Sequence, residues 1–311
     1  MYFLGPTLVS GIGQVTYKYA QLMGAKYIDY SAALPQNDIV FVFALPLDYV
    51  INTIKKLQRT NKGVYVMTVC ETETVHPVYG QLISLCKKIA VPSEFCKRVL
   101  SKQFPDAEYV VIRHWIPIPS FVINNSFLEV PKGAYTFYHI GNIMDPRKQV
   151  KKIIEAFLRL NLPNSLLLLK ATCKGEINWK LPNVHVINGL LTNEQIQDIH
   201  KKCDCYVSFS FSEGVGMGAV EAALNNKPVI LPEYGGCSEY VKSPYTIKCN
   251  KKKIGFNDFL FTHDMEWGDP DFEQLKEFMK DVYEKKLTIM NHEHTHNLMN
   301  NVQKDFRTFL S

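Results

Sequence analysis

Between residues 205 and 231 the chain runs from a short apolar segment, Cys205 to Phe209, into Ser212-Glu213-Gly214-Val215-Gly216-Met217-Gly218-Ala219-Val220-Glu221-Ala222-Ala223 and on to Lys227-Pro228-Val229-Ile230. The apolar run reads as a strand, the glycines as a tight turn and the small-residue stretch up to Asn225-Asn226 as a helix. Pro228-Val229-Ile230-Leu231 reads as the next strand. Such a strand–turn–helix–strand unit belongs to an α/β sheet covered by helices. It carries two carboxylates eight positions apart, Glu213 in the turn and Glu221 on the helix. Glycines at a helix start expose backbone N–H groups that suit an anion such as a diphosphate. Carboxylates beside such a site accept hydrogen bonds from ribose and hexose hydroxyls. The combination points to a nucleotide-sugar donor.

The rest of the chain repeats the alternation. Tyr2-Phe3-Leu4, Ile39 to Ala44, Gly63 to Val69, Ile89-Ala90-Val91 and Tyr109 to Ile112 read as strands. Gln14 to Leu22, Leu47 to Gln58, Leu82 to Ile89 and Glu94 to Phe104 read as helices, the last capped by Ser93. After a polar, proline-containing stretch the pattern resumes. Tyr135 to Ile140, Leu166 to Leu169 and Val184 to Ile187 are strands, and Val150 to Leu160, Thr192 to Lys202, Asp271 to Glu284 and Asn297 to Leu310 are helices. A chain of 311 residues accommodates two domains of about 150 residues each. The expected organisation is an N-terminal Rossmann-like domain over 1–120 on the acceptor side and a linker over 121–132. A donor domain over 133–290 follows, and a helical segment over 291–311 crosses back to the first domain.

The Glu213–Glu221 segment resembles the glutamate-x7-glutamate motif of retaining glycosyltransferases with the GT-B fold, especially glycosyltransferase family 4. The resemblance implies two Rossmann-like β/α/β domains facing each other across a cleft. It places Glu213 on the donor sugar, Glu221 on the nucleotide ribose, and Gly214, Gly216, Met217 and Gly218 beside the phosphates. Gly141-Asn142-Ile143-Met144-Asp145-Pro146-Arg147-Lys148 is similar to that family's Gly-Arg-x-x-x-Pro-Arg-Lys-Gly segment. It makes Lys148 the phosphate-binding cation, with Arg147 beside it. Asn142 stands where the family has arginine and Gln149 where it has glycine. Loss of one cation from a dry phosphate site costs about 1–3 kcal/mol of transition-state stabilisation. Glu233-Tyr234-Gly235-Gly236-Cys237-Ser238-Glu239 resembles the family's Gly-Gly-x-x-Glu turn, and Trp267-Gly268-Asp269-Pro270-Asp271 its Trp-x-x-Pro-Asp, with Pro270 at a helix start.

In the first half, Ser10-Gly11-Ile12-Gly13 is similar to the family's glycine-rich loop, adding Gly11 and Gly13 to the donor-binding candidates. It is also half of a dinucleotide fingerprint, with Thr16 in place of the third glycine. Glu71-Thr72-Glu73-Thr74-Val75-His76 follows a strand, and there the family implies Glu73 and His76 as catalytic candidates near acceptor and sugar. The implied activity is retaining, metal-independent transfer of a hexose from a UDP- or GDP-linked donor to a glycan, lipid or protein-linked acceptor, with no cofactor. The competing readings are a nucleotide-sugar-binding protein with a decayed site, a GT-B sugar-nucleotide epimerase and a dinucleotide oxidoreductase.

Composition narrows the partners. A net charge of +5 with lysines at 151–152, 201–202 and 251–253, but no basic stripe interleaved with aromatics, excludes nucleic acid as the expected partner. A weak peripheral attraction to an anionic membrane face stays open. No run of 18 apolar residues spans a membrane, and the N-terminal residues do not read as a signal peptide, so a cytoplasmic location is expected. Of the eight cysteines only Cys203 and Cys205 are near neighbours, without metal or thioredoxin spacing, so they read as reduced. His292, His294 and His296 do not share a helical face, and no metal site is expected there.

Overall fold

The structure is a computed structural model that describes residues 1–117, 126–172, 175–292 and 299–311. The first part of the expected linker, 121–125, together with Cys173, Glu293, His294 and His296, lies outside the described residues. The chain divides into two compact units. One takes in Met1–Pro117, Lys252–Trp267 and the chain end from residue 299; the other takes in residues 126–251 and 268–292.

The first unit is built on β1 (Tyr2–Gly5), β2 (Lys26–Asp29), β3 (Ile39–Phe43), β4 (Gly63–Met67), β5 (Lys88–Val91) and β6 (Glu108–Val111). These pair in parallel in the order β2-β1-β3-β4-β5-β6. Helices α1 (Gly11–Leu22), α2 (Asp48–Thr60), α3 (Tyr79–Ile83) and α4 (Glu94–Gln103) connect them. The apolar strands Ile39–Phe43 and Gly63–Met67 lie at the middle of the sheet and carry the core with Val50, Ile51, Ile54 and Leu57 of α2. Ser93 caps α4 by accepting from the Cys96 amide at 3.2 Å.

One strand was not expected and two local expectations are corrected. The strand β2 has a half-exposed, weakly apolar sequence and gives no periodic signal. The helix expected over Leu82 to Ile89 instead ends at Ile83, and Lys88 already belongs to β5, because the apolar residues after it pair with β4 and β6. Ser10-Gly11-Ile12-Gly13 is not a loop. Ser10 is the N-cap and accepts the Gly13 amide at 2.9 Å, so α1 starts at Gly11.

The second sheet uses β7 (Tyr135–Gly141), β8 (Ser165–Ala171), β9 (Val184–Ile187), β10 (Cys205–Val207), β11 (Val229–Pro232) and β12 (Thr246–Ile247), in the order β12-β11-β10-β7-β8-β9. Helices α5 (Val150–Leu160), α6 (Asn193–Lys202), α7 (Met217–Leu224) and α8 (Cys237–Tyr240) lie between them. Beyond β12 come a two-stranded ribbon of β13 (Cys249–Lys253) and β14 (Glu266–Pro270), then α9 (Phe272–Glu284) and α10 (Met299–Leu310). Pro270 therefore closes a strand rather than opening a helix. Asp271 is the N-cap of α9, accepting from the amides of Glu273 and Gln274.

Helix α10 packs into the first unit. Its Val302, Phe306 and Phe309 are fully buried, on one helical stripe. The Phe306 ring lies 4.7 Å from Tyr19 and 5.1 Å from Phe41. Tyr65 donates to the Leu310 carbonyl at 2.8 Å.

Candidate functional site

In the second sheet the chain moves outward from β7 to β8 and β9, then returns to place β10 on the other side of β7. A crevice opens beyond the carboxyl ends of strands where the order reverses in this way. The loops that follow β7 and β10 meet at that point. The Phe211 amide donates to the Arg147 carbonyl, and the Arg147 guanidinium donates to the Ser212 carbonyl, both at 2.9 Å. Adjacent strands thus bring Arg147 and Lys148 beside Glu213, 65 residues further along the chain.

The Glu213 carboxylate is 11% exposed, forms an ion pair with the Lys148 ammonium and has Arg147 Nη1 at 3.6 Å. Ser210 Oγ donates to the same oxygen as Lys148, at 2.8 Å. Burial pushes this carboxyl up, but the charges of Lys148 and Arg147 and the hydrogen bonds of Lys148 and Ser210 outweigh it and hold the group at about 2. Its backbone is equally fixed. The Gly236 amide donates to the Glu213 carbonyl at 2.8 Å. A Cβ on Gly235 would stand 2.6 Å from that carbonyl oxygen, at a φ of +93° that favours glycine. The Gly-Gly turn is therefore a backing plate for Glu213.

Asp145 caps the single 3₁₀ turn Pro146–Lys148 and also pairs with Arg147 at 3.3 Å. Gln149, in the place of the family's glycine, keeps the left-handed backbone with φ +51°. Asn142, in the place of the arginine, accepts the Met144 amide at 3.3 Å and supplies no cation. Arg147 is the side chain that brings a second positive charge to Glu213.

Gly216 is the N-cap of α7 at φ +72°, and Met217 and Gly218 form its first turn. The first amides of a helix lack intrahelical acceptors and carry the positive end of its dipole. Gly218 lies against β7 and β10, where a Cβ would meet Tyr206 Oη at 2.4 Å and the Ile140 carbonyl at 3.1 Å. Glu221 sits one turn further along α7, its side chain 24% exposed, with Oε2 3.9 Å from His200 Nε2.

The remaining candidates lie in the first unit. Glu73 pairs with Arg98 of α4 at 3.5 Å, and His76 Nδ1 accepts the Val78 amide at 3.1 Å. Gly11 opens α1. A Cβ on Gly13 would overlap the Pro6 and Thr7 carbonyls, at 2.4 and 2.1 Å. Thr16 packs on Gly5, where a Cβ would be 2.7 Å from the threonine oxygen. The close helix–strand contact expected of a third glycine is thus made by a glycine on the strand. Among the described residues no group of three or more His, Cys, Asp or Glu side chains is arranged to hold a metal ion, and the described cysteines are free thiols. No helix among the described residues is long and apolar enough to cross a membrane.

Two members of the site carry no motif. Ser210 is one. The other is His139 on β7, 2% exposed, whose Nδ1–H donates to the Val207 carbonyl at 2.8 Å. That bond fixes the tautomer and leaves Nε2 as the acceptor. Burial lowers its pKa, the Val207 carbonyl raises it, and Lys148 lowers it again, to about 4. In the first unit burial and Lys18 hold His114 at about 3. Both histidines fold neutral, while an unfolded chain takes up these protons near pH 6.5. Their stabilisation is complete above pH 6.5 and lost as the pH falls through about 4 and about 3. The shifts are worth on the order of 3 kcal/mol for His139 and about 5 kcal/mol for His114. Urea midpoints are expected to fall steadily from pH 6.5 to 4, with His139→Gln flattening the decline of the second unit. Equal midpoints across that range would show the histidines to be hydrated.

The chain is similar in fold to known proteins. Residues 126–252 match the family model for Glycosyl transferases group 1. A UDP-forming α,α-trehalose-phosphate synthase from Burkholderia xenovorans superposes with a TM-score of 0.64 at 11% identity, over 89% of this chain and 74% of that one. A point mutant of S. aureus TarM, in complex with Fondaparinux, α-GlcNAc-glycerol and UDP, gives 0.55 at 13% identity over 88% and 55%. A pneumococcal O-GlcNAc transferase in complex with UDP and GlcNAc gives 0.52 at 12% identity over 96% and 60%. No curated protein sequence matches the chain. The segment that holds Lys148, Glu213 and Glu221 lies inside the stretch similar to glycosyl transferases group 1, on a chain with the two Rossmann-like domains of the GT-B fold.

Proposed function

We propose that this protein transfers a hexose from a nucleoside diphosphate sugar to a hydroxyl of a glycan, lipid or protein-linked acceptor, with retention of configuration. The observation that carries the reading is the buried Lys148–Glu213 pair, flanked by Arg147 and by the start of α7. Breaking the anomeric C–O bond places negative charge on the leaving diphosphate. Fixed cations and helix amides stabilise that charge without reorganising. In this reading Lys148, Arg147 and the amides of Gly216, Met217 and Gly218 receive the diphosphate, so that the site itself supplies the positive charge and no metal is required. Glu213 then turns to the hexose hydroxyls and to the oxocarbenium character that develops at the anomeric carbon. The departing phosphate oxygen takes the acceptor proton on the same face, which accounts for retention. Glu221 accepts the ribose hydroxyls. Glu73 and His76 belong to the acceptor side of the scheme.

The two neighbours solved with UDP make UDP the first donor nucleotide to test. Calorimetry with UDP, GDP, ADP, their common sugar conjugates and NAD is expected to give one diphosphate that binds, and binds at least about tenfold more weakly to Glu221→Ala. Binding of NAD alone would overturn the donor assignment. Nucleotide-sugar binding without transfer to any hydroxyl acceptor would favour the decayed-site reading, which the loss of a cation at Asn142 supports.

A further inference from the structure

One buried group beside this site has no part in the scheme above. His200, on α6, is fully buried, and its Nδ1 lies 2.8 Å from the phenolic oxygen of Tyr138 on β7. Its Nε2 faces Oε2 of Glu221, on α7, at 3.9 Å. Three separate elements thus converge on one line of polar atoms. Tyr138 is itself fully buried, which holds its phenol protonated, and His200 is its hydrogen-bond partner among the described residues. A buried hydroxyl donates its proton where an acceptor is within reach. Donation to Nδ1 makes that nitrogen the acceptor and leaves the ring proton on Nε2. The tautomer so selected turns an N–H toward a carboxylate. In the described structure Nε2 has no hydrogen-bond partner, a state that costs free energy in a dry interior. At a shorter separation the same pair would make a charge-assisted hydrogen bond.

We propose that Tyr138 and His200 form a positioning relay for Glu221. When a nucleoside docks, the His200 Nε2–H closes onto one oxygen of Glu221. The carboxylate is then locked with its other oxygen presented to the 2′- and 3′-hydroxyls of the ribose. The proposal rests on the assignment of Glu221 to the ribose. It adds that the preference for ribose over a deoxygenated sugar is set from the core, by residues that never touch the ligand. Neither residue belongs to the Glu213–Glu221 motif, and α6 reads by itself as an ordinary capped amphipathic helix.

The test compares, on the full chain, whichever of UDP, GDP and ADP binds with its 2′,3′-dideoxy counterpart. Wild type is expected to prefer the ribonucleotide, and Glu221→Ala to lose that preference. His200→Leu is expected to reduce the preference about tenfold while leaving affinity for the dideoxy nucleotide unchanged. His200→Gln, which keeps an N–H donor, restores part of it. Tyr138→Phe removes a single oxygen, so it carries the test if His200→Leu does not fold; it too is expected to lower the preference. A preference lost in Glu221→Ala but intact in both relay variants overturns the relay alone. Equal weakening of both nucleotides by the relay variants reduces His200 to a packing residue and also overturns it. A preference that survives Glu221→Ala, or no binding of any of the three diphosphates, overturns the ribose assignment and the relay together.

Discussion

Lys148→Ala is expected to weaken nucleoside diphosphate binding at least about tenfold and to destabilise the second unit by about 3 kcal/mol. Both effects come from one geometry. Lys148 neutralises a Glu213 carboxylate that is only 11% exposed. Removing the ammonium leaves a buried anion with Arg147 at 3.6 Å as its nearest remaining cation. Breaking a buried pair from one side is costly because the other charge stays desolvated. Calorimetry reads the affinity, and urea unfolding reads the stability. The double variant Lys148→Ala with Glu213→Gln separates the two effects. It is expected to recover most of the stability, since no uncompensated anion remains, and none of the affinity, since the cation is still missing. Unchanged affinity in the single variant would remove Lys148 from the phosphate site.

Glu213→Gln is expected to lower turnover by about 10²–10³-fold while leaving nucleoside diphosphate affinity unchanged or tighter. In the unliganded protein Glu213 competes with the diphosphate for Lys148 and Arg147, so neutralising it frees both cations. The hexose, by contrast, loses a charged acceptor in the transition state. The same substitution has a signature in acid. The folded carboxyl sits at about 2 and an unfolded glutamate near 4.5. A depressed carboxylate contributes stability above the unfolded value and loses it as the pH falls through the folded one. Wild type therefore has an acid phase between pH 4.5 and about 2 that Glu213→Gln is expected to lack. Steady-state kinetics and acid unfolding check the two halves. A variant with wild-type turnover and affinity would mean that the donor site lies elsewhere.

Much of the fold was legible in the chain because buried parallel strands are continuous apolar runs and the turns between them carry their own punctuation. Ile39 to Phe43, Ser165 to Ala171 and Val229 to Pro232 announce themselves in this way, as does the Ser93 cap. β2 and β13 do not, because their residues are half-exposed or lysine-rich and become strands only through their partners, and β14 does not, because its Glu-Trp-Gly-Asp-Pro sequence has no apolar run. Leu82 looks like the start of a helix and lies near the end of one, since local propensity cannot see that Lys88 to Val91 has two strands waiting for it.

The site divides along the same line. Sequence alone determined that a glycine turn opens a helix with carboxylates at 213 and 221, and that Arg147 and Lys148 follow a strand, because local spacing carries both facts. Only the tertiary structure decided that Lys148 meets Glu213, since residues 65 apart become neighbours through the pairing of β7 with β10. It likewise turned Arg147 inward, recruited Ser210 and His139, and aimed His200 at Glu221. A lone serine or histidine has no spacing to mark it. Its role exists only once the sheet order has placed a charge beside it, and burial has made that charge count.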